Sequence, residues 1–190
     1  MNGVSVNACH RNSGADYKRM NAFHLLVARG VRSYATTIVF GAAAIAFLSI
    51  ALAVKNYTLL VGAAVLLLLA AAWPFLMLAL QNGKISKYLR ENPNYERAEQ
   101  FFTFHESGFH LKIRANGREE EHDIPYDAVL RIYERPDRFY IYIGRAQALI
   151  LKADEIEGGG ESLVPLFAKL GKRFHACGRA RHIAAGEKNA

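Results

Sequence analysis

The side chains best suited to chemistry lie near the two ends of the chain. His175, Cys177 and His182 follow one another near the C terminus, and Cys9 precedes His10 near the N terminus. Zinc sites usually combine two closely spaced pairs of ligands on ordered loops, whereas these residues fall in segments whose composition predicts disorder. A disulfide between the two cysteines is not expected in a reducing cytoplasm. We therefore expect no metal ion and no cofactor.

Two short motifs could in principle support catalysis or phosphate binding. His105 and Ser107 are close in sequence, as a base and its nucleophile must be close in space, but a turn serine beside a strand histidine is common. Gly158–Gly160 precedes a predicted helix, whose first N–H groups can hold phosphate, yet the Lys and Ser/Thr of a P-loop are missing. The sequence therefore predicts no catalytic residue and no enzyme.

The most informative element is a long apolar segment over residues 33–83, in which Lys55 is the one charged residue. It separates two apolar runs, 34–54 and 57–80. At about 1.5 Å per residue, each run as a helix is long enough to cross a hydrocarbon core of about 30 Å. The segment therefore predicts a two-helix transmembrane hairpin.

A cleaved signal peptide and a soluble helical hairpin are the two alternatives to this transmembrane hairpin. Ala51–Ala53 resembles a signal-peptide cleavage site, but the segment before the first run is longer than a typical signal-peptide n-region. A soluble helical hairpin would rarely contain two such uncharged runs. A stripe of small residues on the first span would pack the hairpin or, alternatively, form a homo-oligomer; it consists of Ala42, Ala46, Ser49 and Ala53.

Basic residues flank the hairpin on both outer sides, where Asp16 is the one acidic residue before it. Segments rich in Lys and Arg stay in the cytoplasm, so both termini are predicted to be cytoplasmic. Residues 16–32 are predicted to form a basic juxtamembrane helix that could lie on anionic lipid or serve topology alone. The membrane-proximal basic residues are Lys18, Arg19, Arg29, Arg32, Lys84, Lys87 and Arg90.

The remaining segments divide into ends, a linker and one domain. Residues 1–15 and 176–190 are predicted to be disordered, and 84–98 to be a linker that begins as an extension of the second helix. Residues 99–175 contain short strand-like segments and end in an amphipathic helix over 162–174. This order predicts a small antiparallel β-barrel capped by a C-terminal helix, within an α+β membrane protein.

One hairpin inside this domain is predicted in register. Asn116-Gly117 is a strong signal for a two-residue β-turn. It places Arg114 opposite Glu119 and Lys112 opposite Glu121, as pairs of opposite charge. The same register leaves a conflict, because two polar residues would share a face with apolar ones; these are Glu120 and His122, opposite Ile113 and Leu111.

Several segments taken together resemble a known family. They are Asp16-Tyr17 ahead of the two spans, then Phe102–Gly108, Ile124–Glu134, Phe139–Ile143 and Gln147–Lys152. In order and spacing, roughly from residue 16 to 175, the chain resembles the YcxB-like family of bacterial two-span membrane proteins. The resemblance implies a pleckstrin-homology-like C-terminal domain and the bacterial inner membrane as location. It implies no catalytic residues.

These observations favour a membrane-anchored cytoplasmic interaction module over an enzyme. Tyr133, Tyr140 and Tyr142 lie on the predicted outer face of two strands, and aromatic residues are enriched where partners dock. The partners expected are the lipid bilayer and another membrane or cytoplasmic protein. Residues 84–190 carry eighteen basic against sixteen acidic residues, so nucleic acid is not expected. The alternatives are lipid or small-ligand sensing and a regulatory role in a membrane complex.

Overall fold

The protein divides into two compact units, which we call the helical unit and the sheet unit. The helical unit is Lys18–Tyr88, and the sheet unit combines Met1–Tyr17 with Leu89–Ala190. Residues 1–17, which precede the apolar segment, therefore belong to the same unit as residues 89–190, which follow it. The computed structural model describes residues 5–28, 30, 34–145 and 147–177.

Two long helices follow the apolar pattern closely. The first of them, α2, spans Ala35–Val54, and α3 spans Tyr57–Glu91. Lys55 ends α2 in the left-handed conformation, with φ of 52°. Asn56 then accepts the N–H of Thr58 through its side-chain oxygen at 2.9 Å, which starts α3. The predicted bounds of the first apolar helix are confirmed to within one residue, but α3 continues well beyond residue 80.

The helix before this pair begins earlier than predicted. Helix α1 spans Gly14–Phe23 and is continued by a π-helical stretch, His24–Ala28. Ser13 caps it, because its hydroxyl oxygen accepts the N–H of Asp16 at 3.2 Å. Arg29 and residues 31–32 of the predicted juxtamembrane helix lie outside the described residues.

The face through which α2 and α3 pack is not the predicted stripe. Ala42, Ala46, Ser49 and Ala53 are exposed, whereas the buried alanines lie on other positions of the two helices. Phe40 of α2 meets Trp73 of α3 edge-on, with ring centroids 5.8 Å apart. The buried alanines repeat every seven residues, which keeps them on one helix face; they are Ala44 and Ala51 of α2 and Ala63 and Ala70 of α3.

The sheet unit contains two four-stranded sheets, sheet A and sheet B. Sheet A is antiparallel with the order β1-β2-β3-β4. Sheet B has the order β7-β6-β5-β8 and is antiparallel except for the parallel β5–β8 pair. The strands of sheet A are β1 Val6–Arg11, β2 Glu99–Phe104, β3 Gly108–Ala115 and β4 Arg118–Pro125. Those of sheet B are β5 Arg131–Arg135, β6 Arg138–Tyr142, β7 Ala148–Lys152 and β8 Phe174–His175.

The predicted β-barrel is wrong, because the strands of the described residues form two separate four-stranded sheets and no closed barrel. Strand β4 ends sheet A with a polar sequence whose inward positions include Glu120 and His122, and both are exposed. Closing the sheet there would bury these side chains at a high desolvation cost. The register conflict expected from the sequence is present in the structure: Glu120 and His122 pair with Ile113 and Leu111, and both polar side chains stay exposed although Leu111 is buried.

The β3–β4 register itself is confirmed. Asn116 and Gly117 form the turn with φ of 52° and 74°, and Arg114 pairs with Glu119 and Lys112 with Glu121. The linker predicted over 84–98 is wrong in its second half. There, a 3₁₀ helix, Pro93–Arg97, leads through Ala98 directly into β2.

The predicted disorder of residues 1–15 is also wrong. Strand β1 pairs with β2 over six residues, from Val6 opposite Phe104 to Arg11 opposite Glu99. Its inward side chains, Val6, Ala8 and His10, are all buried. Two of them are small or polar, so the alternation carried too little apolar contrast to identify a strand.

Aromatic side chains fill the space between the sheets. Phe167 is fully buried and lies within 5.7 Å, centroid to centroid, of Phe104 and of Phe139. It belongs to α4, Val164–Ala168, which is much shorter than the predicted helix over 162–174. Gly171 takes a positive φ of 57°, which breaks the helix, and the chain then adds β8 beside β5. Residues 178–190 of the predicted disordered tail lie outside the described residues.

Candidate functional site

The prediction that Tyr133, Tyr140 and Tyr142 form an exposed interaction surface is wrong. Tyr140 and Tyr142 are 3% and 5% exposed, because β6 is buried on both of its faces. Tyr133 is half-buried, and the ring of His175 stacks on it with centroids 4.5 Å apart. The alternation of residues along β6 predicted that the face carrying Tyr140 and Tyr142 is exposed to solvent. That inference is valid only for a sheet in which nothing packs on this face.

The basic residues predicted to lie near the membrane fall on two helices. Lys18 and Arg19 lie on α1, and Lys84, Lys87 and Arg90 lie exposed on the polar last turns of α3.

The corner between β1 and α1 is held by the segment that follows α3. Glu96 accepts the backbone N–H of Gly14 at 3.1 Å, and its own carbonyl accepts Arg11 Nε at 3.4 Å. The ring of Tyr17 lies 5.5 Å from that of Tyr95. The two chain segments that flank the apolar helices therefore clasp each other within the sheet unit.

A buried group of charges continues this clasp to sheet B; we call it the Asp16 cluster. The Asp16 carboxylate accepts hydrogen bonds from Arg138 Nη1 at 2.7 Å and from Lys152 Nζ at 3.0 Å. Asp16 and Arg138 are 5% and 4% exposed. Arg138 also donates to the exposed carboxylate of Asp137 at 2.6 and 3.0 Å. The fifth member, Glu155, lies 3.6 Å from Lys152.

The electrostatics of this cluster follow from its geometry. Burial would raise the pKa of Asp16, but the hydrogen bonds from Lys152 and Arg138 outweigh burial, and the pKa is lowered. The bond to Asp16 raises the pKa of Lys152 in turn. Asp16, Lys152 and Arg138 are thus charged at neutral pH.

His10 extends the cluster into the core face of sheet A. Its ring is fully buried, and Nδ1 lies 2.6 Å from the carboxylate of Glu155. Its other nitrogen, Nε2, is buried without a hydrogen-bond partner in the described residues. The same is true of Oε1 of Gln100, which pairs with His10 across β1 and β2.

This arrangement serves to join parts of the fold. Strand β1 belongs to sheet A, whereas Arg138 and Lys152 belong to sheet B, so residues 6–16 fasten one sheet to the other. The partners on sheet B were not found from the sequence. The sequence contained one sign that Asp16 has a partner: it is the one acidic residue among the basic residues ahead of the apolar segment.

The two edges also meet directly, along what we call the seam. Ala8 of β1 forms an antiparallel bridge with Ile156, and Glu157 donates its N–H to the carbonyl of Asn7 at 2.8 Å. An open depression of about 500 Å³ lies over the seam. It is lined by Asn7, Ala8, Cys9, Phe101, Phe102, Thr103, Asp154, Glu155, Ile156 and Glu157.

The His, Cys and Gly residues of the metal and phosphate motifs do not come together in a site among the described residues. Among the described residues, no group of three His, Cys, Asp or Glu side chains could hold a metal ion, and His182 lies outside them. Cys9 and Cys177 are free thiols. Gly158 and Gly159 have positive φ and lead into a 3₁₀ helix of four residues, which is a turn rather than an anion site.

Comparison with known proteins gives one match. Residues 104–162 match the family model described as YcxB-like protein. Among curated proteins and among solved structures, nothing matches the chain. The matched stretch runs from the end of β2 to the 3₁₀ helix before α4, and so contains Arg138, Lys152 and Glu155 of the Asp16 cluster. The resemblance to the YcxB-like family is thus confirmed over residues 104–162.

Proposed function

We propose that the protein is a non-enzymatic, membrane-anchored interaction module of the bacterial inner membrane. In sequence, a two-span hairpin interrupts a folded cytoplasmic domain. The hairpin holds this domain at the membrane surface, where the domain meets a partner. One observation carries this proposal. Strand β1, which precedes the apolar helices, pairs over its whole length with β2, which follows them.

The surface of α2 and α3 supports membrane insertion. The most apolar window of each helix has a mean hydropathy of 2.4, and 11% of it is buried. Large apolar side chains such as Ile38, Leu52 and Leu68 are more than half exposed. In water, such a surface would be costly at about 25 cal/mol per Å² of apolar area, whereas in lipid it needs no protein partner.

The β1–β2 pairing supports an even number of crossings. Two strands of one sheet must fold in the same compartment, so the chain has to return to the side from which it left. The basic flanks assign that side to the cytoplasm by the positive-inside rule. Cleavage of a leader at Ala51–Ala53 would remove β1 and Asp16 from the domain, which argues that the first helix is retained.

The surface that the described sheet unit would offer to a partner is polar. Leu130 is the one exposed large apolar side chain in the described part of the sheet unit, so a cytoplasmic partner would meet a polar surface. The small-residue stripe, Ala42, Ala46, Ser49 and Ala53, is free of α3 and remains suited to contact with another helix or a second copy.

Topology reporters test the membrane part of the proposal. We expect cytoplasmic signals from fusions before Met1 and after Ala190, and an external signal from a fusion at Asn56. A fusion within Lys84–Arg90 serves as a matched internal control, since that position must also report the cytoplasm. An external C terminus, or loss of an N-terminal tag from the membrane-bound chain, would contradict the proposal.

A second experiment tests whether the domain is built from both flanks. Residues 18–88 are replaced by a Gly/Ser linker of about eight residues, which reaches about 25 Å. We expect this shortened chain to be soluble and folded because α1 and the post-helix segment already touch. The matched control begins at Leu89 and lacks β1; we expect it to aggregate through the open edge of β2. Equal behaviour of the two chains would refute the role assigned to β1.

A further inference from the structure

Helix α3 continues as a polar helix well past the end of its apolar run. The run ends at Leu80, whereas the helix ends at Glu91. At about 1.5 Å per residue, residues 81–91 extend the helix by about 16 Å. The headgroup layer of a bilayer is about 5–7 Å thick on each side of the hydrocarbon core. A helix that spans the core therefore carries these polar turns through the headgroups and out of them.

Three basic side chains share one face of these polar turns. Lys84, Lys87 and Arg90 follow one another at intervals of three residues, which keeps them within a sector of about 120°. All three are exposed. Ile85 is buried, with 8% exposure, and lies about 100–160° away from each of them around the helix. The side of the helix that packs on protein is thus distinct from the side that carries the charge.

Distance along the helix separates the three charges. Measured from Leu80, Lys84 lies about 6 Å, Lys87 about 10 Å and Arg90 about 15 Å along the axis. The ammonium group of Lys84 is therefore level with the headgroup phosphates. Lys87 stands just outside them, within one Debye length of about 8 Å at physiological ionic strength, and Arg90 stands about a full Debye length away. The one acidic residue of 81–91 is Glu91, about 10 Å along the axis from Lys84.

We propose that the polar end of α3 binds anionic phospholipid headgroups, with Lys84 in direct contact and Lys87 acting at longer range. Arg90 is too distant to contribute. This lipid preference rests on the membrane insertion proposed above and names the lipid class that the inserted helix selects. A basic residue close to an anionic surface strengthens association by about fivefold, whereas a zwitterionic headgroup offers no net charge. If these residues served topology alone, the inserted helix would show no preference between lipids.

The single tryptophan of the chain is placed to detect such a lipid. Trp73 precedes Lys84 by about three helical turns and lies within about 20° of it around α3. It also lies about 10 Å inside the level of Leu80, within the leaflet that carries these headgroups, since half of the core is about 15 Å thick. The ring is half-buried and meets Phe40 edge-on. A lipid held at Lys84 therefore places its acyl chains beside Trp73.

Fluorescence quenching by brominated lipid tests the proposal on the full-length chain. The chain is reconstituted in vesicles of equal parts phosphatidylglycerol and phosphatidylcholine, with bromine on the acyl chains of one lipid or of the other. We expect quenching of Trp73 to show phosphatidylglycerol associating about tenfold more strongly at physiological ionic strength, about fivefold from Lys84 and twofold from the more distant Lys87. In about 1 M salt, where the Debye length is about 3 Å, the two lipids should quench nearly equally.

Charge-removing substitutions assign the preference to its residues. Lys84→Gln is expected to lower the ratio of the two association constants about fivefold, and Lys87→Gln about twofold. Two matched controls remove the same charge and are expected to leave the ratio unchanged. They are Arg90→Gln, farther along α3, and Lys55→Gln, at the opposite end of the hairpin.

The outcomes separate the lipid preference from the membrane insertion on which it rests. Equal quenching by both brominated lipids at physiological ionic strength would overturn the preference and leave insertion standing. Equal losses for Lys84→Gln and Lys55→Gln, or a preference that persists in about 1 M salt, would do the same. Quenching by neither lipid would mean that Trp73 lies outside the bilayer, and would overturn both.

Discussion

Replacing Asp16 with asparagine is the sharpest test of how the pre-hairpin segment is held. The substitution keeps the size of the side chain and removes its charge. Asp16 accepts hydrogen bonds from Arg138 at 2.7 Å and from Lys152 at 3.0 Å, and two of the three side chains are almost fully buried. Asparagine can offer one oxygen to one cation but must turn its amide toward the other.

The size of the effect follows from what each cation retains. Arg138 keeps its two hydrogen bonds to Asp137, and Lys152, about 29% exposed, keeps Glu155 and water. A hydrogen bond to a charged group contributes about 1.5–3 kcal/mol. Losing one partner of a buried pair costs about 3–5 kcal/mol. Because both cations keep some compensation, we expect the lower end of that range, about 3 kcal/mol.

Amide hydrogen exchange measured by mass spectrometry reports this loss locally. Peptides covering 6–11 and 138–142 should exchange about 100-fold faster in the variant, since about 1.4 kcal/mol corresponds to a factor of ten. The matched control is Asp127→Asn, which removes the same charge from an ion pair with Arg173 at 3.4 Å in which Asp127 is exposed. If Asp16→Asn accelerates exchange no more than this control does, the cluster does not hold β1 in place.

Three further predictions concern the same unit. Acidification should weaken the attachment of β1, because the pKa of Asp16 is lowered on folding. The contribution of Asp16 to stability is therefore complete above pH of about 4 and is lost as pH falls below that value. Amide exchange over 6–11 between pH 5 and pH 2, corrected for intrinsic rates, measures this loss, and Asp16→Asn should remove the pH dependence. Gly14→Ala should destabilise the β1–α1 corner by about 1–2 kcal/mol through loss of the hydrogen bond to Glu96, because the new Cβ would lie 2.7 Å from Glu96 Oε1 and from Leu89 Cδ1. Gly83→Ala, in an open helical position, should be neutral or stabilising. Equal effects of the two substitutions on thermal unfolding would contradict the clasp. Phe167→Ala should lower the free energy of unfolding by about 3–5 kcal/mol, because the ring is fully buried among aromatic neighbours. Leu130→Ala at the surface should change the melting temperature little. Similar shifts of the melting temperature for both variants would mean that Phe167 is not central to the core.

The elements with a strong local signal were predictable. The two apolar runs gave both long helices, with the break at Lys55 and Asn56. Asn116-Gly117 gave the β3–β4 register because that dipeptide readily takes positive φ at both positions. The order of strands over 99–152 was likewise found, since their alternation of apolar residues is clear.

The elements that depend on distant partners were not predictable. Strand β1 has no apolar contrast of its own and exists because β2 offers it an edge, some ninety residues later in the chain. Tyr140 and Tyr142 read as an outer face because alternation cannot show that a second layer packs there. Asp16 pairs with Arg138 and Lys152 across more than a hundred residues, and no local pattern encodes such a pair.

The placement of β1 ties the folding of the domain to the helices between its parts. Closing a long flexible loop costs free energy that grows with the logarithm of its length, and β1 and β2 form only after that cost is met. A helical hairpin reduces it, because antiparallel helices bring their outer ends together before the strands pair. If α2 and α3 insert in lipid first, insertion itself delivers β1 to the open edge of β2. The pairing of β1 with β2 is then fastest on a chain whose hairpin has formed, and a short linker in place of the hairpin brings the same two strands together.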